Sequence, residues 1–385
     1  MPFADNRNKI GKYIPAVVFL IFIYGMALWF VFSPKPDYSS SEKRYLQKFP
    51  EVTAEKLLSG EFGSEFETFF ADRFPQRNTW VGLNAYTALA VGNNGASGVY
   101  NCKNGYLINK PVSTENNLDK NIGAVADFAK SIDTPTTVML VPSTGYIVDD
   151  VLPTFHDKYN DDEDISRISS TLSKDKIGFV DLRERFKSEY KNGSQLYYKT
   201  DHHWTTKGAY TGYQELCKAL GVTPIDDSTL KKDSYPDFYG TTYSSSGFWL
   251  TPPDNIEIWN NPKNSDRNIS VKITEGANTK TSGSMYFTDH LKEDDKYPVF
   301  IDGNHALTEI TNSNAKNGTI LLIKDSFSHS LAPFLAENYS RVVLVDLRYY
   351  KESVSDLVTT YNPEQVVVLY GIDNLATDTD IVWLK

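Results

Sequence analysis

Thr319-Ile320-Leu321-Leu322-Ile323-Lys324-Asp325-Ser326-Phe327-Ser328 is the stretch on which the fold turns. An unbroken apolar run of strand composition passes straight into a polar turn, and Phe327 to Tyr339 then carries a helical pattern. Runs of this kind belong to strands buried on both faces. A strand–turn–helix presents Ser326 at the C-terminal edge of a sheet, where the first backbone N–H groups of the helix, including those of Ser326 and Phe327, are oxyanion candidates. Ser328 and Ser330 fall inside the helix, where the turn no longer exposes them.

The same rhythm extends in both directions. A helix is expected from about Thr114 to Ser131, a strand over Thr136 to Val141, a helix over Asp164 to Lys174 and a strand over Ile177 to Asp181. Beyond Ser326 come a strand over Arg341 to Val345, a helix over Val354 to Tyr361 and a strand over Gln365 to Tyr370. Alternation at this spacing implies an α/β fold with a mainly parallel sheet flanked by helices, whose ligand edge is the C-terminal one. Gly98 to Asn109 reads as a hairpin turning at Asn104-Gly105. Between about residues 221 and 310 the rhythm breaks into short β-like runs, Ile256 to Trp259 and Ile269 to Ile273, among aromatic residues such as Tyr239 and Trp249. This is expected to be a β-rich insertion. Its aromatic faces suit stacking on sugar rings, although packing accounts for most buried aromatics.

The second chemical stretch is Thr200-Asp201-His202-His203-Trp204-Thr205-Thr206-Lys207-Gly208. In an extended segment Asp201 and His203 point to the same side, so Asp201 can hold His203 Nδ1–H and leave Nε2 as a base, while His202 points the other way. A helix follows through Ala209, Tyr213 and Leu220, with Thr205 or Thr206 as its N-cap and Gly221 as its stop. Asp201, His202 and His203 are also a conceivable metal set. Divergence of adjacent side chains in an extended segment argues against it, and no metal or other cofactor is expected.

At the N-terminus, Ile14 to Phe32 is a run of nineteen uncharged residues. At a rise of about 1.5 Å per residue it covers about 30 Å of hydrocarbon, one membrane span. Arg7, Lys9 and Lys12 precede it, and the positive-inside rule puts the N-terminus in the cytoplasm and the rest outside. The expected division is a cytoplasmic tail (1–12), a transmembrane anchor (13–33), a stalk and helical region (34–95) and a catalytic domain (96–385). A net charge of −10 without a basic block argues against nucleic acid as a partner. The two cysteines, Cys102 and Cys217, lack metal-ligand spacing, and whether they pair is left open by the sequence.

Asp201-His202-His203-Trp204, Asp325-Ser326-Phe327, Asp72-Arg73-Phe74-Pro75-Gln76-Arg77, Tyr239-Gly240 and Asp346-Leu347-Arg348-Tyr349-Tyr350 occur in an order that resembles the DHHW protein family. That family is similar to the periplasmic alginate O-acetyltransferases of the SGNH/GDSL hydrolase superfamily. The resemblance implies an SGNH-hydrolase-like fold and a triad of Ser326 as nucleophile, His203 as base and Asp201 as orienting acid. Lys324 stands where a glycine is expected. Asp302-Gly303-Asn304-His305 resembles the segment that supplies an oxyanion amide, which makes Asn304 a candidate, although Asp302 replaces its glycine and a plain turn is the other reading. Arg348 and Tyr349 are expected near the same edge, on substrate or, for Arg348, against Asp346.

Together these point to a single-pass membrane protein with an extracytoplasmic enzyme domain, an O-acetyltransferase of a cell-surface or secreted polysaccharide. The resemblance implies a membrane-bound O-acyltransferase partner that supplies acetyl groups. An SGNH-type carbohydrate esterase and a non-catalytic polysaccharide-binding scaffold are the competing readings.

Overall fold

The computed structural model describes residues 4–112, 117–381 and 384, so the expected helix start at Thr114 lies outside the described residues. The chain divides into two compact units, Met1–Thr87 and Ala88–Lys385.

In the first unit, helix α1 (Ala4–Phe32) contains the 22-residue stretch Gly11–Phe32, whose most apolar 18-residue window has a mean hydropathy of 2.4, long and apolar enough to cross a membrane. Helices α2 (Ala54–Ser59) and α3 (Glu61–Asp72) follow, and α4 (Arg77–Ala90) begins after the break at Pro75. The Asp-Arg of the Asp72 to Arg77 signature holds in place the segment expected to be the stalk. Asp72 accepts hydrogen bonds from the Arg44 guanidinium and from Gln47 N–H at 2.9 Å. Arg73 donates to the carbonyls of Lys35, Pro36 and Gln47 at 2.8–2.9 Å. The signature is therefore a backbone clamp, and Tyr38–Ser39 pairs with Arg44–Tyr45 under it.

The second unit opens with the expected hairpin: Val99–Asn101 pairs antiparallel with Leu107–Asn109. Its turn needs the left-handed region twice, at Asn104 (φ 58°) and Gly105 (φ 78°), the two residue types that adopt it most readily.

Ten further strands are β1 (Thr136–Val141), β2 (Gly178–Asp181), β3 (Lys231–Phe238), β4 (Asp254–Asn260), β5 (Ile269–Glu275), β6 (Asn278–Ser282), β7 (Leu307–Asn312), β8 (Asn317–Lys324), β9 (Tyr339–Val345) and β10 (Gln365–Gly371). Eight of them form one sheet in the order β6-β5-β7-β9-β8-β10-β1-β2. The five from β9 to β2 are mutually parallel, and β7, β5 and β6 continue the sheet antiparallel. The span 221–310, where the rhythm breaks, supplies strands both inside and outside this sheet. The β3–β4 hairpin stands outside the sheet, but β5 and β6 extend it, because β7 pairs edge-on with β9 and offers its other side. Strand β5 shows the period-two burial of a half-exposed strand, with Ile269, Val271 and Ile273 inward.

The central strands are buried on both faces, and alternate residues divide between two cores. Ile320, Leu322, Val342, Leu344, Val367 and Leu369 face α7 (Arg183–Lys191), α8 (Thr206–Leu220) and α10 (Ser328–Asn338). Leu321, Ile323, Val343, Val345, Val366 and Val368 face α5 (Asn117–Ser131), α6 (Asp161–Lys174), α11 (Val354–Tyr361) and α12 (Ile372–Thr377). β9, β8, β10 and β1 all run toward one edge, where Asp346, Lys324, Gly371 and Pro142 follow one another across the sheet. Cys102 and Cys217 are both buried free thiols.

Candidate active site

The approach to the site is set by Asp254, a buried carboxylate at the start of β4. It accepts hydrogen bonds from Lys199 N–H, Thr200 N–H, Thr200 Oγ1 and Gln195 Nε2 at 2.7–3.1 Å, which folds residues 195–200 into a fixed loop. The chain then bends sharply rather than extending. Asp201 Oδ1 accepts from both the His203 backbone N–H (2.8 Å) and His203 Nδ1 (2.5 Å), so one carboxylate oxygen fixes turn and ring together. Asp201 Oδ2 takes Thr241 N–H (2.7 Å) and Thr241 Oγ1 (3.1 Å) at the start of α9 (Thr241–Ser246). Burial opposes ionisation of Asp201, but His203, His202 and these hydrogen bonds outweigh it and hold the carboxyl well below its ordinary range. Gly240 is required here: a Cβ on it would lie 2.1 Å from Asp201 Cβ.

His203 Nε2 is 2.7 Å from Ser326 Oγ, so the structure brings the three expected residues into one line, with Ser326 in the turn between β8 and α10. Trp204 ties the two halves together. Its indole, fully buried, donates to Phe327 O (3.0 Å) and Ser330 Oγ (2.9 Å), and Gly212 of α8 leaves room for the ring, as Gly208 does for the Trp204 Cβ and the Leu196 carbonyl. Tyr297 stacks on the His203 imidazole at 4.0 Å and donates to Ser326 O at 3.2 Å. Sequence reasoning missed Tyr297, because nothing in Lys296-Tyr297-Pro298 marks it until the fold carries it to the sheet edge.

Several expectations change. His202 does not point away: with the segment bent, its ring lies 3.8 Å from that of His203, and its Nδ1 meets Thr241 Oγ1 at 2.7 Å. Burial and the neighbouring His203 push it down to about 4. The ligand atoms of Asp201, His202 and His203 therefore lie within 4.8 Å of one another, so divergence is no argument against a metal; the relevant fact is that Asp201, His202 and His203 already bond protein partners there. Phe327 N–H, expected to face an oxyanion, is taken by Asp325 Oδ1 at 2.9 Å. Ser326 N–H has no partner among the described residues. Asn304 follows three residues in the left-handed region, Ile301, Asp302 and Gly303 (φ 51°, 67° and 85°), where a β-branched residue such as Ile301 is strained. Arg348 pairs with Asp346 through Nε (2.9 Å) and Nη2 (2.7 Å), and it also donates to Asn304 Oδ1 at 2.8 Å.

A cleft of about 470 Å³ opens over Ser326, with Asn304, Arg348, Tyr297, Asn374 and Asp378 among its walls. Tyr239 and Trp249 are not among its lining residues; they flank Tyr243 in a ladder, with ring centroids 4.4 and 5.2 Å apart, and Tyr349 is half exposed beside Arg348 without lining the cleft. These three, candidates for substrate contact, do not line the cleft over Ser326.

Residues 112–345 match the model of the DHHW protein family. Among solved structures, the chain is similar to a DHHW family protein from Eubacterium siraeum (18% identity, TM-score 0.62, covering 75% of this chain and 95% of that one). It is also similar to Bacillus cereus PatB1 with a sulfonyl adduct (20% identity, TM-score 0.61, 74% and 97%). A weaker likeness is to the O-acetyltransferase domain of Pseudomonas putida AlgJ (14% identity, TM-score 0.48, 75% and 95%). No curated protein sequence matches the chain. At these identities the first two likenesses speak to the fold alone.

Proposed function

The chain belongs to the DHHW protein family, and from the geometry of its site we propose that it is an acyl-transferring enzyme of SGNH-hydrolase type, an O-acetyltransferase of an extracytoplasmic polysaccharide. The observation that carries this reading is the 2.7 Å approach of His203 Nε2 to Ser326 Oγ, with Asp201 on the opposite ring nitrogen. His203 takes the Ser326 proton as Oγ bonds to the acyl carbonyl carbon, and Asp201 stabilises the imidazolium. Ser326 N–H and Asn304 hold the oxyanion. The tetrahedral intermediate collapses with loss of the donor's leaving group, which takes the proton from His203. A sugar hydroxyl then gives its proton to His203 as its oxygen attacks the acyl-Ser326 carbonyl, and Ser326 is regenerated.

The acetyl group and the sugar acceptor come from the resemblance to alginate O-acetyltransferases. Acetyl-CoA is absent outside the membrane, so a membrane-bound O-acyltransferase would supply the acetyl group, with α1 as the membrane anchor. An esterase with the same triad is the second reading, because Tyr239 and Trp249 do not line the cleft, which leaves water as a competing acceptor. Incubation of the full chain with a chromogenic acetyl ester and oligosaccharide acceptors, followed by mass spectrometry of both products, tests the two. Acetylated oligosaccharide supports transfer, free acetate alone supports hydrolysis, and no turnover together with no sulfonyl fluoride label on Ser326 overturns both.

A further inference from the structure

Lys324 occupies the last position of β8, directly ahead of the nucleophile turn, with 1% of its surface exposed. An ammonium group is rarely buried unless it is paired. Its Nζ donates to Asp346 Oδ2 at 2.8 Å and to His329 Nε2 at 2.9 Å. Asp346, itself fully buried, holds the Arg348 fork with both oxygens, and Arg348 reaches outward to Asn304 Oδ1. Four side chains thus lead without a gap from the residue before Asp325-Ser326 to a wall of the cleft.

The direction of each bond carries information. Lys and Arg have donors and no acceptor. The end of Asn304 that faces Arg348 is therefore its oxygen, which leaves the two Nδ2–H donors of this cleft-lining residue without a partner among the described residues. By the same logic His329 accepts at Nε2 and carries its proton on Nδ1, a buried atom with no partner among the described residues. Burial and the Lys324 charge hold His329 well below its ordinary range, so the ring stays neutral.

We propose that Lys324, Asp346 and Arg348 form a positioning network that presets the amide of Asn304 as an oxyanion donor for acyl transfer at Ser326; this rests on the acyl-transfer reading above. Asn304 is exposed, and an exposed amide rotates and flips unless something holds it. Holding it before the reaction removes reorganisation from the chemical step. Lys324 matters because Asp346 lies in the core. Burial opposes its charge, and Arg348 and Lys324 together keep it ionised and in place. Buried ion pairs add little net stability over apolar packing, so the expected signature of this network is in catalysis at Asn304.

The test is a double-mutant cycle on the full-length protein in detergent, reading kcat and KM for a chromogenic acetyl ester. Asn304→Ala is expected to lower kcat about 10²-fold with KM nearly unchanged, as loss of one oxyanion donor does. Asn304→Asp keeps an oxygen toward Arg348 but removes the donor, and is expected to lose as much. Arg348→Met and Lys324→Met are each expected to lower kcat between about 10- and 100-fold in the parent, yet by less than about threefold in the Asn304→Ala background. Losses that multiply across the two backgrounds, or an Arg348→Met protein with parental kcat, overturn the network. Should Lys324→Met fail to fold, Arg348→Met carries the cycle alone, since the Arg348 side chain is 37% exposed. A parent protein that neither turns over the ester nor takes a sulfonyl fluoride label on Ser326 sinks the acyl-transfer reading and the network with it, whereas an active parent with multiplicative losses refutes the network alone.

Discussion

Replacing Asp201 by Asn changes one atom and asks the site a question it cannot answer well. Four donors converge on the carboxylate: His203 N–H at 2.8 Å, His203 Nδ1 at 2.5 Å, Thr241 N–H at 2.7 Å and Thr241 Oγ1 at 3.1 Å. An amide has one acceptor oxygen. With that oxygen toward His203, the new NH₂ faces Thr241 N–H, and an unpaired buried donor costs about 1–3 kcal/mol. With the amide reversed, His203 must place its proton on Nε2, the tautomer that cannot take a proton from Ser326. In either orientation the negative charge beside the imidazolium is gone. For unit charges about 4 Å apart at an effective dielectric of about 20 that is about 4 kcal/mol, or about 10³ in rate. Asp201→Asn is therefore expected to lower kcat for a chromogenic acetyl ester by about three powers of ten while KM changes little. The stability side has a defined sign. The Asp201 carboxyl is held below its unfolded value of about 3.9, so its contribution is fully present above that pH and fades as pH falls through the folded value. The gap in melting temperature between parent and variant should accordingly narrow as pH drops below about 4. A variant retaining kcat within tenfold of the parent would refute the assignment of Asp201 as the group that orients and charges the base.

Trp204→Phe removes the donor shared by Phe327 O and Ser330 Oγ, and thermal melting should show a loss of about 2–4 kcal/mol, from unpaired acceptors plus a small cavity; an unchanged melting temperature would show that the clamp is not needed. His202, pushed down to about 4, is neutral at pH 7, so His202→Ala should lower the height of the kcat profile between pH 5 and 9 without moving its inflections. A moved inflection would mean that His202 shares the proton. For the anchor, protease added to spheroplasts should digest the body and spare an N-terminal stub; full protection of the C-terminal unit would reverse the topology.

The parts of this protein that are local in character were legible in the chain itself. TILLI at Thr319 to Ile323 declares a doubly buried strand, and Thr205 and Gly221 cap α8 as expected, because composition, capping and period are properties of neighbouring residues. Asp201, His203 and Ser326 could likewise be singled out as candidates, from the Asp-x-His spacing, the strand–turn–helix context and the family resemblance. What the tertiary structure decided depends on residues far apart in sequence. That β5 and β6 extend the sheet follows from the free edge of β7, a fact about pairing partners that no window of sequence contains. The bend that brings His202 beside His203 is imposed by Asp254 and Thr241, some forty to fifty residues away. Tyr297 became part of the site, and Phe327 N–H left it, for the same reason: a hydrogen bond is assigned by where the fold delivers a partner. Lys324 shows the division most clearly. In sequence it is an anomaly, a charge where a glycine is expected; in the fold its ammonium finds Asp346 and His329, because β8 and β9 are parallel neighbours that end together at the same edge of the sheet.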